Sequence, residues 1–194
     1  MKETGQIGEG RRVVVGISGA SGTIYGVRLL EVLRDAGIET HLILTEAARR
    51  VIETELDSDP DEVTALAAFV HADDDPAAPI SSGSFRTEGM AVLPCSIKSL
   101  SAVAVSYNDS LLARAADVTL KERRPLVLAV RETPLHLGHL KLMVRAAECG
   151  AVILPPVPAF YHRPQTIQDL VDHTVGKVME CLGLDHDLYR RWCS

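Results

Sequence analysis

No run of apolar residues in this sequence is long enough to cross a bilayer. Nor is there an excess of positive charge: 20 Lys and Arg stand against 26 Asp and Glu, a formal net charge of -6. That balance speaks against non-specific binding to nucleic acid or to an anionic membrane. The opening stretch MKETGQIGEGRR is polar and has no apolar stretch of its own. It reads as a flexible lead-in over 1–10, not as a secretory signal. Cys95, Cys149, Cys181 and Cys193 show no CxxC spacing, so they read as reduced thiols, and the expected compartment is the cytoplasm. Aromatic residues make up only 4% of the chain. What is present is ordinary for a folded protein: 46% hydrophobic and 24% charged residues in a length of 194. That length suits one domain, here 11–192, with a core large enough to need no disulfide or zinc staple.

Short β-branched runs alternate with stretches of helical spacing. The strand candidates are Arg12–Ile17, Thr40–Leu44, Ala91–Leu93, Leu126–Val130 and Ala151–Leu154. One helix carries Val27, Leu29, Leu30 and Leu33 and closes at Gly37 as its C′ residue. Others are expected at about 46–56, 60–70, 97–105, 136–148 and 166–182. Strands that are apolar throughout must be buried on both faces, which requires a parallel sheet between two helical layers. The expected fold is therefore α/β: a single-domain, open, doubly wound parallel sheet of Rossmann-like type. The interval 72–88, rich in Asp, Pro, Ser and Gly, has no periodicity and reads as a lid, a binding loop or a disordered segment.

In such sheets ligands collect at the carboxyl ends of the strands. The first strand runs into Gly16-Ile17-Ser18-Gly19-Ala20-Ser21-Gly22, where glycines let backbone N–H groups approach a ligand and the following helix N-terminus favours an anion. The pattern is neither GxGxxG nor a P-loop, and a tight β–α turn explains it too. Thr45 reads first as an N-cap, Glu55 by default as a solvated carboxylate, and Ser96 and Ser99 as caps or phosphate contacts. Cys95 reads as a small buried residue. Arg114, Lys121, Arg123, Arg124 and Arg131 form a cationic group in an acidic chain, which suggests a specific anion or a solvated face paired with Asp117 and Glu122. His136 and His139 lack a third ligand, so no metal is expected.

Gly19-Ala20-Ser21-Gly22, Pro94-Cys95-Ser96, the run from Arg114 through Lys121 to Leu128, Arg131-Glu132 and Phe160-Tyr161-His162 together resemble the UbiX-type flavin prenyltransferases, over nearly the whole chain. The loop Ile80–Thr87 resembles the branch paired with phenolic-acid and hydroxybenzoate decarboxylases. The resemblance implies a metal-independent transfer of a dimethylallyl group from dimethylallyl phosphate to N5 and C6 of reduced FMN. The prenylated FMN would serve a UbiD-type decarboxylase. It places Gly19, Ala20, Ser21, Thr45, Ser96, Ile97, Lys98, Ser99, Arg114 and Arg131 around FMN, and Lys121, Arg131, Tyr161 and Lys177 around the prenyl phosphate. It gives Ser21, Glu55 and Glu132 the proton transfers, and it implies a homo-oligomer, often a dodecamer. Two positions depart from the family pattern. Lys177 stands where an arginine is common, keeping the charge without the planar fork. Tyr107-Asn108-Asp109-Ser110 stands where many members carry glycines and paired asparagines. The alternatives are an FMN-dependent cysteine-type flavoprotein decarboxylase and a non-catalytic FMN-carrying subunit of a phenolic-acid decarboxylase. Against the first, Pro94–Ser99 replaces an Asn-containing stretch and no His lies between Ser18 and Thr40.

Overall fold

The computed structural model describes residues 10–192; the lead-in expected over 1–10 falls almost wholly outside them, as does Cys193. Strands β1 (Arg12–Ile17), β2 (Glu39–Leu44), β3 (Phe69–His71), β4 (Gly89–Cys95), β5 (Leu126–Val130) and β6 (Val152–Ile153) form one sheet in the order β3-β2-β1-β4-β5-β6. Every pairing is parallel. The helices are α1 (Thr23–Asp35), α2 (Glu46–Glu55), α3 (Pro60–Thr64), α4 (Ile97–Ala104), α5 (Leu111–Lys121), α6 (Leu137–Glu148) and α7 (Ile167–Cys181). This is the doubly wound arrangement expected, and its strand order reverses between β1 and β4.

Side chains alternate across each strand, so one strand feeds two cores. Val13, Val15, Ile17, Leu42, Ala91, Leu93, Val127 and Ala129 pack with Leu29, Leu30 and Leu33 of α1 and Val175, Val178 and Met179 of α7. Val14, Ile43, Met90, Val92, Leu126, Leu128 and Val130 pack on the other face with Leu100 of α4, Leu112, Ala115 and Ala116 of α5 and Ala146 of α6. Gly37 ends α1 as expected: φ is 68°, its N–H donates to the Arg34 carbonyl, and the Ile38 N–H donates to the Leu33 carbonyl.

Two expectations need correction. The helix expected over 60–70 stops at Thr64, and Phe69–His71 instead pair with β2 in the register His41↔Phe69. Tertiary pairing decides here. His41 stacks on Phe69 and His71, and its Nδ1 lies 2.9 Å from His71 Nε2. Helix α5 was not anticipated. It buries Leu111, Leu112, Ala113, Ala115, Ala116, Val118 and Thr119, while Arg114, Asp117 and Lys121, spaced i, i+3, i+7, form its polar stripe, a helical pattern overlooked beside the cationic grouping. The interval 72–88 is pinned. Ala78 and Ile80 enter the core, Arg114 Nε donates to the Ser81 carbonyl, and Arg124 donates to the Gly83 and Phe85 carbonyls. Arg124 thus acts as a loop clamp.

Helix α1 lies close against the sheet at Gly26, which is buried. A Cβ there would run into the Leu93 carbonyl oxygen and come within 2.8 Å of the Ile17 side chain. Alanine ordinarily favours a helix over glycine by about 1 kcal/mol. At this position overpacking outweighs that gain, and Gly26→Ala should lower stability by about 1–3 kcal/mol, read as an earlier midpoint in urea denaturation.

Candidate active site

At the reversal point the chain leaves β1 and β4 toward opposite sides of the sheet, and a crevice opens above their carboxyl ends. Its floor is stapled by one hydroxyl. Ser18 Oγ donates to the Pro94 carbonyl at 2.9 Å and accepts the Ser96 N–H at 2.8 Å. The neighbouring strand ends are tied in the same way: the Thr45 N–H donates to the Ile17 carbonyl and the Arg131 N–H to the Cys95 carbonyl.

The crevice has a volume of about 600 Å³. Three helix N-termini open on it. Thr45 caps α2 by accepting the Ala48 N–H, Ser96 caps α4 by accepting the Ser99 N–H, and Ser110 caps α5 by accepting the Ala113 N–H. The caps leave the N–H groups of Ile97 and Lys98, in the first turn of α4, without an intrahelical acceptor. Lys98 and Arg50 bring positive charge to the rim against the carboxylates of Glu46, Asp73, Asp109 and Glu132, Arg50 pairing with Glu46 at 3.6 Å, while Ile97, Ala102, Leu112 and Ala113 give it apolar wall. Gly19 lets the β1–α1 turn approach α2, since a Cβ at that position would collide with Ala47 Cβ. A flat apolar ring with an anionic tail fits such a space: the walls receive the ring and the helix N-termini the anion.

The protein fills two helix N-termini itself: at α5, Asp73 accepts the Leu112 N–H through Oδ1 at 2.9 Å and the Leu111 N–H through its carbonyl, and at α1 a glutamate does the same. Gly22 sits at φ 94°, and Glu55 Oε2, from the end of α2, accepts the N–H groups of Gly22 (2.8 Å) and Thr23 (3.2 Å) and the Thr23 hydroxyl. Burial works to raise the Glu55 pKa, but hydrogen bonds from Ser21, Gly22 and Thr23 outweigh it and hold the carboxyl below its usual range. The anion favoured by that Gly-rich turn is thus Glu55 itself, and the free anion-binding termini are those of α2 and α4.

Of the residues expected at the site, Gly19, Thr45, Ser96, Ile97, Lys98, Ser99 and Glu132 line this crevice. Glu132 Oε1 accepts the Thr133 N–H at 2.9 Å. Ala20 and Ser21 lie in the adjoining β1–α1 turn, Glu55 reaches that turn from the end of α2, and Arg131, just after β5, is close enough to act on Tyr25. Arg114 lines a neighbouring recess with Asp73, Ser81 and Ser110. Lys121 is at the opposite end of α5 from Ser110, roughly 15 Å along the helix axis, and is paired with Glu122. Tyr161 borders a separate recess with His162, Arg163 and Trp192, and Lys177, on α7, pairs with Glu180. Within one chain these last three do not meet the crevice. Cys95 is buried, its thiol pushed up to about 12 by desolvation, and is no nucleophile. Sequence reasoning missed Ser18, whose hydroxyl reads as part of a glycine turn. It also missed Trp192, which meets Tyr161 edge-on at 5.4 Å.

Comparison with known proteins decides the lineage. The Flavoprotein family profile matches residues 1–179. Flavin prenyltransferase UbiX of Escherichia coli (strain K12) is 62% identical over 185 residues, covering 94% of this chain and 98% of that protein. The chain belongs to the UbiX flavin prenyltransferase family. Among solved UbiX structures, AnUbiX (PadA1) in complex with FMN and dimethylallyl pyrophosphate superposes with a TM-score of 0.94 at 47% identity, over 96% of this chain and 99% of that one. A dodecameric FMN-dependent UbiX-like decarboxylase from Escherichia coli O157:H7 matches with a TM-score of 0.91 at 47% identity, over 94% of this chain and all of that one. Among the described residues no helix is long and apolar enough to cross a membrane, and no cluster of ligating side chains could hold a metal ion.

The Glu55 cap gives this UbiX-family turn a measurable signature. Glu55→Gln should cost about 1 kcal/mol at neutral pH, the exposed position screening much of the lost charge. Because the folded-state pKa lies below the ordinary 4.5, the advantage of the carboxylate is full above that value and fades as the pH falls through the folded pKa. Thermal melts of both proteins at descending pH should therefore converge in acid.

Proposed function

We propose that this protein transfers a dimethylallyl group from dimethylallyl phosphate to N5 and then C6 of reduced FMN, without a metal, and that the prenylated FMN is made in the cytoplasm for a UbiD-type aromatic-acid decarboxylase. The observation that carries this reading is near-full-length identity to flavin prenyltransferases, in a chain whose crevice fits a flavin and presents Glu132 at its wall.

Bound reduced FMN supplies the nucleophilic ring atoms. The chain does the rest. Gly19, Ala20 and Ser21 approach the flavin from the β1–α1 turn; Thr45 and Ser96–Ser99 offer hydroxyls and helix N-termini; Arg131 and Arg114 add positive charge. Phosphate departure builds negative charge, which is stabilised by donors already fixed in place. Lys121, Arg131, Tyr161 and Lys177 are the residues assigned to it. Glu55, held ionised by its three donor residues, can accept a proton at neutral pH but has none to give. Glu132, at the end of β5, and Ser21, which hydrogen-bonds Glu55, complete the set that moves protons to the phosphate and from the ring.

Lys121, Tyr161 and Lys177 lie away from the crevice of their own chain, so the phosphate half of the site is completed by other copies in a homo-oligomer, a dodecamer in this proposal. The surface supports that assembly. Leu137, Leu140 and Val144 of α6, with Val157 and Phe160 in the segment after β6, are exposed, and such an apolar area on a monomer marks a contact surface.

Mass spectrometry of flavin released after anaerobic incubation of the reduced FMN complex with dimethylallyl phosphate tests the proposal. The expected product is FMN carrying one five-carbon unit, lost in Glu132→Gln although FMN is retained. FMN bound tightly but released unchanged, with either the monophosphate or the diphosphate donor, would contradict prenyl transfer and favour the flavin-carrying subunit.

A further inference from the structure

We infer that His173 is a positioning residue for the prenyl donor: it aims the Tyr161 hydroxyl at the phosphate, and donor binding brings a proton onto its ring. This rests on the reading that Tyr161 and Lys177 hold the phosphate. His173 lies four residues before Lys177 on α7, so both occupy one helix face. Its Nε2 is 3.3 Å from Tyr161 Oη, with the rings edge to face at 5.7 Å. His162 stacks on it at 5.1 Å with the planes 6° apart, and Tyr189 closes the far side at 4.6 Å. The ring is thereby held in one orientation.

A phenol has one proton to donate. If His173 Nε2 is bare, it takes that proton, and Tyr161 turns lone pairs toward an incoming phosphate. If Nε2 carries a proton, the bond reverses: His173 donates to Tyr161 Oη and the phenolic proton is free for a phosphate oxygen. An imidazolium also adds a positive charge beside Lys177. The groups facing His173 are Tyr161 and His162 from the segment before α7, Tyr189 from the segment after it, and Lys177 and Glu180 along α7. Burial first, then His162 and Lys177, hold its pKa below the ordinary histidine range, with Glu180 opposing. A phosphate dianion arriving at Lys177 shifts that balance toward the protonated ring. His162, whose two ring nitrogens are buried without a hydrogen-bond partner among the described residues, marks the group as incomplete in the isolated chain.

Calorimetric titration of dimethylallyl phosphate into the oxidised FMN complex, in buffers of different ionisation enthalpy between about pH 6 and 8, reads proton uptake directly. The wild type should take up protons wherever the pH lies between the ring's pKa in the free and in the donor-bound protein, and lose affinity there by as much as about tenfold per pH unit. His173→Gln should abolish this uptake. His173→Phe, which keeps the stack but has no donor, should also weaken binding about tenfold. If both variants match the wild type in affinity and proton uptake while Lys177→Met and Tyr161→Phe weaken binding, the role of His173 is refuted and the phosphate assignment stands. If Lys177→Met and Tyr161→Phe also bind as the wild type does, the phosphate lies elsewhere and both fall together.

Discussion

A single buried hydroxyl holds the site's two sides together. Ser18 Oγ, donating to the Pro94 carbonyl and accepting from the Ser96 N–H, bridges the ends of β1 and β4 where the strand order reverses. The bond fixes where α4 begins. With the Ser96 N–H held by Ser18, the Ser96 hydroxyl caps α4 by accepting the Ser99 N–H, and the residues of the next two N–H groups, Ile97 and Lys98, line the crevice. Stripping Ser18 of its hydroxyl would leave the Ser96 N–H unpaired at the point where the ligand must sit, and the Pro94 carbonyl with the Ser18 N–H alone.

The two carboxylates near the site are handled in opposite ways. Glu55 is locked into a helix N-terminus by three donors, which keeps it ionised and prevents that terminus from competing for a phosphate. Glu132 stands at the crevice wall with one backbone donor. A charge bound internally and a charge presented to a ligand are different chemical tools, although both are glutamates at the ends of elements. The same division appears among the cations: Arg124 clamps the loop carbonyls of Gly83 and Phe85, while Lys98 faces the crevice.

Most of the fold was legible because strands buried on both faces leave long β-branched runs, and because the loops after β1, β2, β4 and β5 announce themselves with Gly, Thr, Ser and Glu. The crevice-lining residues Gly19, Thr45, Ser96–Ser99 and Glu132 were legible for the same reason, since each follows a strand, whereas Arg114, inside α5, does not. What was not legible has physical causes. Phe69–His71 are made a strand by pairing with β2, and Ser18 is indistinguishable in sequence from any turn serine. The scatter of Lys121, Tyr161 and Lys177 away from the crevice could not be read at all, because residue order carries no information about how far apart the ends of different helices and loops come to lie.

The account stands on the claim that the crevice above β1 and β4 receives a flavin whose phosphate meets the helix N-termini there. Titration of FMN and of riboflavin, followed by quenching of flavin fluorescence, tests it most directly. Charge-assisted bonds from these N–H groups and from Lys98 or Arg50 should make FMN bind at least about 100-fold more tightly than the phosphate-free riboflavin. Equal affinity for the two would contradict the account, because no anion would then be held where the helix N-termini converge.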